Sequence, residues 1–300
     1  MIVAIAIVAM QGCKKEQDTM SYPGFNEFIS KQSTLSMFSK AVEKANLKDF
    51  TTGPGPFTWF APSDAAFAAA GITNDSLNRM TVGQVSFLMT YHLVNASFTS
   101  QQMLAVSSIS RTTQMGQVVY SGSFGTTFFV NGAKISSLDN QLSNGYVHVV
   151  DNILTPPNLR GNIISILNST GQHTLLLAAL TRAGLSTALS GASVFTLMAP
   201  TDAAMNAAGF TATAIAATPV ATLASLLRYH YFSSVRLFTN DFAANPITIA
   251  TVAGPSTSLL ASDNGTKIKG KGNASAFNIT RANLLGTNGV VHVIDGVLRQ

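Results

Sequence analysis

The chain carries the same text twice. Phe57-Thr58-Trp59-Phe60-Ala61-Pro62-Ser63-Asp64-Ala65-Ala66 returns as Phe195-Thr196-Leu197-Met198-Ala199-Pro200-Thr201-Asp202-Ala203-Ala204, an offset of 138 residues. Tyr91-His92 returns as Tyr229-His230 at the same offset. Asn144-Gly145-Tyr146-Val147-His148-Val149-Val150-Asp151 returns as Asn288-Gly289-Val290-Val291-His292-Val293-Ile294-Asp295, offset by 144 residues. Solenoid units repeat at about 20–50 residues and cannot stand alone. A period this long means two copies of a complete domain, and 300 residues suffice for two separate cores. Only 10% of the residues are charged against 46% hydrophobic, so the polar surface must come mostly from Ser, Thr, Asn and Gln.

The first residues are written differently. Ile2 to Met10 is an apolar run too short to span a bilayer, which takes roughly 20 residues. It reads as the core of a secretory signal over 1–12, with cleavage after the small Gly12. Met10-Gln11-Gly12-Cys13 resembles a bacterial lipobox, in which the cysteine is lipidated and becomes the new N-terminus. Met10 and Gln11 depart from the usual pattern, and no Lys or Arg precedes the apolar run. Cys13 is the only cysteine, so no disulfide forms within the chain. Several acyl chains on one residue anchor stably, where one holds only marginally. Residues 13–21 read as the lipidated cysteine and a flexible tether.

Each copy is helices first and strands afterwards, with one strand placed early. Leu35, Phe38, Val42 and Ala45 fall at helical spacing, answered by Leu176, Leu180, Ala183 and Leu185. Phe57 to Phe60 is a short apolar strand; after Pro62, Ser63 and Thr201 are placed to cap the next helix. Asp64 and Asp202 then sit in its first turn, where the helix dipole favours a carboxylate. Thr81 opens a helix from Val82 to His92, with a counterpart near Val220 to His230. Asn131-Gly132 between two alternating runs is a hairpin signal, because both residues accept positive φ. The last strands are Tyr146–Val150 and Val290–Ile294. The pattern is α+β.

Together, the Ala-Pro-(Ser/Thr)-Asp segment, the Tyr-His about thirty residues later and the Asn-Gly-x-Val-His-Val-x-Asp ending resemble the fasciclin (fasciclin I-like) domain family. The resemblance covers residues 22–156 and 160–300, with 157–159 as a short linker. It implies two compact β-wedges, or sandwiches, packed with helices. It also implies a secreted or surface-attached protein engaged in adhesion and extracellular binding, not catalysis. Behind a lipobox-like signal, the pair looks like an exported cell-envelope lipoprotein of the outer membrane, facing the periplasm or the surface. An accessory subunit of an outer-membrane nutrient-uptake complex is the alternative. Some animal members bind integrins through an Asp-Ile pair ahead of the last motif. Here that place holds Asp139-Asn140 and Asn283-Leu284, so integrin binding is not carried over.

The repeated polar residues invite a catalytic reading, with Ser63, His92 and Asp151 as a triad-like set. A capping role accounts better for Ser63, whose counterpart is Thr201. His148 lies in a strand of alternating Val residues, and for His92, His148, His230 and His292 a buried histidine hydrogen-bonded to backbone or to Tyr is expected. Metal binding by His92, His148 and Asp151 lacks close ligand spacing. Asp151 and Asp295 end the last strands, a common place for a turn-forming Asp. Tyr91, Tyr229 and these residues are therefore expected to serve the fold. No cofactor motif is present.

Charge offers the sharper clue. Up to Pro157 the chain has nine Lys/Arg and nine Asp/Glu; beyond it, nine Lys/Arg and four Asp. The net +5 thus lies wholly in the second copy. Lys267, Lys269 and Lys271 alternate on a candidate strand and would share one face. Such a row suits an anionic polymer or acidic sugar; a charged edge strand that blocks aggregation is the competing account. Nucleic acid is not an expected partner, because no basic–aromatic interleaving accompanies the lysines.

Overall fold

The structure is a computed structural model and describes residues 21–104, 109–242, 247–262 and 265–300. Cys13 and its tether lie outside the described residues. The strands of the first copy are β1 (Phe57–Pro62), β2 (Leu93–Val94), β3 (Ile109–Thr112), β4 (Val118–Phe124), β5 (Thr127–Val130), β6 (Ala133–Leu142) and β7 (Gly145–Val150). Those of the second are β8 (Phe195–Pro200), β9 (Tyr231–Ser233), β10 (Ile247–Thr251), β11 (Gly254–Ser262), β12 (Lys267–Gly270), β13 (Phe277–Gly286) and β14 (Gly289–Ile294).

Both sheets have one topology. The first runs β2-β1-β7-β6-β5-β4-β3, and the second, read from its other end, β9-β8-β14-β13-β12-β11-β10. The early and final strands of each copy pair in parallel, Phe57 opposite Gly145 and Phe195 opposite Gly289. This pairing brings the Ala-Pro motif beside the Val-His-Val motif, across most of a domain's sequence. The approach is so close that a Cβ on Gly145 would lie 1.8 Å from the Phe57 carbonyl oxygen; on Gly289 it would lie 2.0 Å from that of Phe195. The sheets then curve until their edges meet: Gln114 N donates to Leu93 O at 2.7 Å, and Val252 N to Tyr231 O at 3.0 Å. Closure leaves little unpaired edge for another chain to join.

Alternation along β1 builds two cores per domain. Trp59 and Ala61 face the helices, where they pack with Leu35, Phe38, Val42, Phe67 and Met89. Phe60 faces the inside of the curved sheet with Phe98, Val119, Val130 and Val150. In β8, Leu197 and Ala199 face the helices while Met198 points inward. At the tip between β5 and β6, Asn131 and Gly132 take φ of 49° and 78°, the geometry of a tight two-residue turn. A helical turn, Pro157–Arg160, stands between the domains.

The domains also touch directly. The rings of Tyr120 and Phe238 lie 6.2 Å apart, the Arg236 guanidinium sits 5.1 Å from the Tyr120 ring centre, and Asn283 Nδ2 donates to Gly132 O at 3.5 Å.

Candidate functional site

The repeated residues converge on the β1–β7 and β8–β14 seams, and there they bond mainly to backbone. Ser63 Oγ accepts from Ala66 N at 3.2 Å and Thr201 Oγ1 from Ala204 N at 3.1 Å, each capping its own helix. The neighbouring carboxylates serve a different helix from the one they begin. Asp64 accepts from Ser36 Oγ and Met37 N, both at 2.8 Å, at the start of the helix Ser36–Lys44. Asp202 does the same for Thr174 and Leu175 at the start of Thr174–Arg182, at 2.7–3.1 Å. Those helices start from Leu35 and His173, and neither residue provides a side-chain cap. A carboxylate borrowed from across the core supplies the missing acceptor. Asp64 and Asp202 also stand in the first turn of their own helices, Asp64–Ala69 and Asp202–Ala207, so each carboxylate serves two helix starts. Burial pushes the Asp202 carboxyl up, but its bonds from Leu175 and Thr174 outweigh that and hold it below the usual range.

The four motif histidines form two matched pairs. His92 Nδ1 faces Leu88 O at 2.9 Å, and its Nε2 accepts from Leu154 N at 2.9 Å. His230 repeats this with Leu226 O at 2.9 Å and Leu298 N at 3.0 Å. Facing a carbonyl on one side and an amide on the other, each ring carries its proton on Nδ1. His148 and His292 use the opposite arrangement. Their Nε2 atoms face Phe98 O at 2.7 Å and Leu237 O at 2.9 Å, while Nδ1 accepts from Asp139 N at 3.1 Å and Asn283 N at 3.4 Å. Asp139 and Asn283 sit at register shifts in β6 and β13 with φ of 53° and 59°. His148 and His292 thereby tie a bulge to a loop distant in sequence, while His92 and His230 tie the end of their own helix to the segment after the last strand. Burial lowers His92, His230 and His292 from 6.5 to about 4, and lowers His148 as well.

The triad-like set does not assemble. Ser63, His92 and Asp151 each bond to different backbone groups; Asp151 Oδ1 accepts from Lys134 N at 2.8 Å. Asp295 makes the equivalent clamp on Asn278 N at 2.7 Å. Both ring nitrogens of each motif histidine are occupied, leaving no lone pair for a metal. Among the described residues, no group of three or more His, Cys, Asp and Glu side chains is placed to hold an ion. Tyr91 donates to Val118 O at 2.9 Å and accepts from Asn131 Nδ2 at 3.0 Å, so it anchors the hairpin tip. Tyr229 OH accepts from Lys271 N at 2.8 Å, at the matching tip.

Asn144 and Asn288 are structural residues that the sequence showed only as part of the repeated motif ahead of the last strands. Asn288 Nδ2 donates to Leu189 O and Gly191 O, both at 2.8 Å, and its Oδ1 accepts from Ile163 N at 2.9 Å. Asn144 Nδ2 donates to Gly53 O at 3.1 Å. Their recurrence before the motif glycine was the available signal.

Lys267 and Lys269 are half-buried on the outward face of β12, on either side of the buried Ile268. The strand ends at Gly270, so Lys271 lies just past it and is exposed. β12 is flanked by β11 and β13. An edge-guarding role therefore does not apply to these lysines. Lys269 Nζ donates to Ala274 O at 3.0 Å.

A cleft of about 540 Å³ opens where the domains meet, lined by residues of β3, β4 and the stretch after β9. Arg236, Asn240 and Asp241 line its second-domain wall. Burial pushes the Asp241 carboxyl up, against the hydrogen bond from Phe238 N.

The fasciclin domain model matches residues 33–156 and 171–300. The transforming growth factor-beta-induced protein ig-h3 of Sus scrofa is 28% identical over 272 residues, which cover 89% of this chain and 38% of that protein. An uncharacterized protein of Synechocystis sp. is 30% identical over 132 residues, covering 44% of this chain and 97% of that one. This chain therefore spans well under half the length of ig-h3 but contains nearly all of the cyanobacterial relative. A solved FAS1 domain pair from the insect cell adhesion molecule Fasciclin I aligns with a TM-score of 0.43 at 19% identity, over 89% of this chain and 97% of that one. Fasciclin domains are extracellular, adhesion-related modules and not enzymes. No helix among the described residues is long and apolar enough to cross a membrane. The chain belongs to the fasciclin domain family and carries two copies of that domain.

Proposed function

We propose that the chain is an exported cell-envelope lipoprotein, tethered through Cys13, whose paired domains hold an extracellular polysaccharide or surface protein. The observation that carries this reading is the uneven charge. The first copy is balanced while the second holds the whole excess of +5. Lys267 and Lys269 share an outward face, and the exposed Lys271 follows just past the end of the strand. Ammonium groups fixed on one rigid face raise the local concentration of an anionic polymer.

The test is binding of the chain to anionic and neutral glycans at low and high salt, beside a Lys267/Lys269/Lys271→Gln variant. The expected result is anionic-glycan binding that weakens with salt and disappears in the variant. Binding that persists in the variant would remove the lysine face from the account. A Cys13→Ser variant tests the anchor: it should leave the membrane fraction, and retention there would contradict lipidation at Cys13.

A further inference from the structure

The cleft between the domains has a composition unlike the lysine face. Among the described residues its ionisable lining is one arginine and one carboxylate, Arg236 and Asp241, besides Tyr120, and their formal charges cancel. Ser123 and Asn240 add hydroxyl and amide groups from opposite domains. Phe124, at the end of β4, is 40% exposed and forms an apolar platform at the rim. A volume near 540 Å³ falls within the range of small-ligand clefts, about 300–1,000 Å³.

The polar groups are fixed. The Arg236 guanidinium lies over the Tyr120 ring and its Nη2 donates to Thr287 O at 3.2 Å. Asp241 accepts from Phe238 N at 2.7 Å through Oδ2 and from Asn240 Nδ2 at 3.1 Å through Oδ1. That last bond sets which way the Asn240 amide points. Two atoms of this wall have no partner: the Arg236 Nε donor and the Asn240 Oδ1 acceptor. Both are closed off from water, so each carries the cost of an unmade hydrogen bond. Both residues line the cleft, so one unmet donor and one unmet acceptor belong to the same wall.

A hydroxyl group donates and accepts at once. Planar polar side chains such as Arg, Asn and Asp meet neighbouring ring hydroxyls in pairs, and an aromatic ring covers the C–H face of a sugar. A neutral lining gives no advantage to a polyanion. We propose that this cleft binds a short, uncharged oligosaccharide that bridges both domains. The site is separate from the lysine face and its ligand is of different charge, so the two assignments stand or fall independently.

Calorimetric titration of the full chain with neutral cello-, xylo-, manno- and malto-oligosaccharides of two to four sugars tests the proposal. At least one should bind with an affinity unchanged between low and high salt. Asn240→Ala should weaken it at least tenfold and Phe124→Ala several-fold. Ser123→Trp, which puts a large ring into the cleft from the first domain, should abolish it while the melting temperature is kept. Failure of every sugar to bind would overturn the proposal, as would binding that survives Ser123→Trp. Binding lost instead in the Lys267/Lys269/Lys271→Gln variant would assign the sugar to the lysine face and also overturn it.

Discussion

In the first domain the bulge residue Asp139 turns its carboxylate onto Ser100, accepting from the backbone N at 2.8 Å and from the hydroxyl. In the second, Asn283 at the same bulge bonds Thr239 N and Thr239 Oγ1, both at 2.9 Å, and reaches across to Gly132 O. Both backbones still give their amide to the motif histidine. The difference teaches where this fold tolerates change. Groups that close the seam between first and last strands are kept in role. Groups around them vary in charge and can be turned to contacts between domains.

The same contrast runs through the other pairs. Asn131 and Lys271 occupy matching hairpin tips under Tyr91 and Tyr229, yet one is a near-buried amide and the other an exposed cation. Leu35 and His173 both precede a helix that a distant aspartate caps. His173 is buried, with Nδ1 facing Pro200 O at 2.9 Å.

If the seam is equivalent in the two copies, paired substitutions should have paired costs. The largest effect is expected for Gly145→Ala and Gly289→Ala. Each Cβ would meet a strand carbonyl at 2.0 Å or less, a clash that only separation of the parallel pair relieves. Each should abolish cooperative unfolding of its own domain, seen as loss of one of two denaturation steps. A folded Gly145→Ala beside an unfolded Gly289→Ala would break the comparison.

Acid should act next most strongly. His92, His230 and His292 have folded pKa values of about 4 against the usual 6.5, so between these limits the unfolded chain binds more protons. Their contribution is complete above pH 6.5 and is lost as pH falls toward 4, at up to about 1.4 kcal/mol per pH unit for each histidine. His148 in the first domain and His173 in the second are lowered as well, so both domains should lose stability as pH falls. Denaturation at pH 7, 5.5 and 4.5 checks this; a flat profile would contradict the buried neutral rings.

His92→Ala and His230→Ala come third. Each leaves a buried amide and carbonyl without partners and opens a void, at a cost of about 3–5 kcal/mol. Asp64→Ala and Asp202→Ala are expected to cost least, about 1–2 kcal/mol each, as lost caps. Urea titration of the four variants measures both ratios. A much larger loss at Asp64 than at Asp202 would show that the borrowed caps are not equivalent.

Much of this was legible in the residues themselves. Local rules mark the caps at Ser63 and Thr201, the tip at Asn131-Gly132 and the helix from Val82, because each needs only neighbours in sequence. The pairing of β1 with β7 was not legible, since β1 could have paired with any strand. Everything built on that pairing stayed hidden with it: the borrowed caps of Asp64 and Asp202, the reach of Asn288 to Leu189 and Gly191, and the partners of the histidines. The cleft was equally out of sight, for it depends on how Tyr120 meets Arg236 and Phe238.

The central claim is that the repeated histidines are neutral ties within the fold and take no part in chemistry. Nitrogen NMR of the imidazoles between pH 7.5 and 5.5, with and without zinc, tests it most directly. The account predicts fixed tautomers, the proton on Nδ1 for His92 and His230 and on Nε2 for His148 and His292, with no response to zinc. A ring among these four that titrates near 6.5, samples both tautomers or shifts with zinc would contradict it.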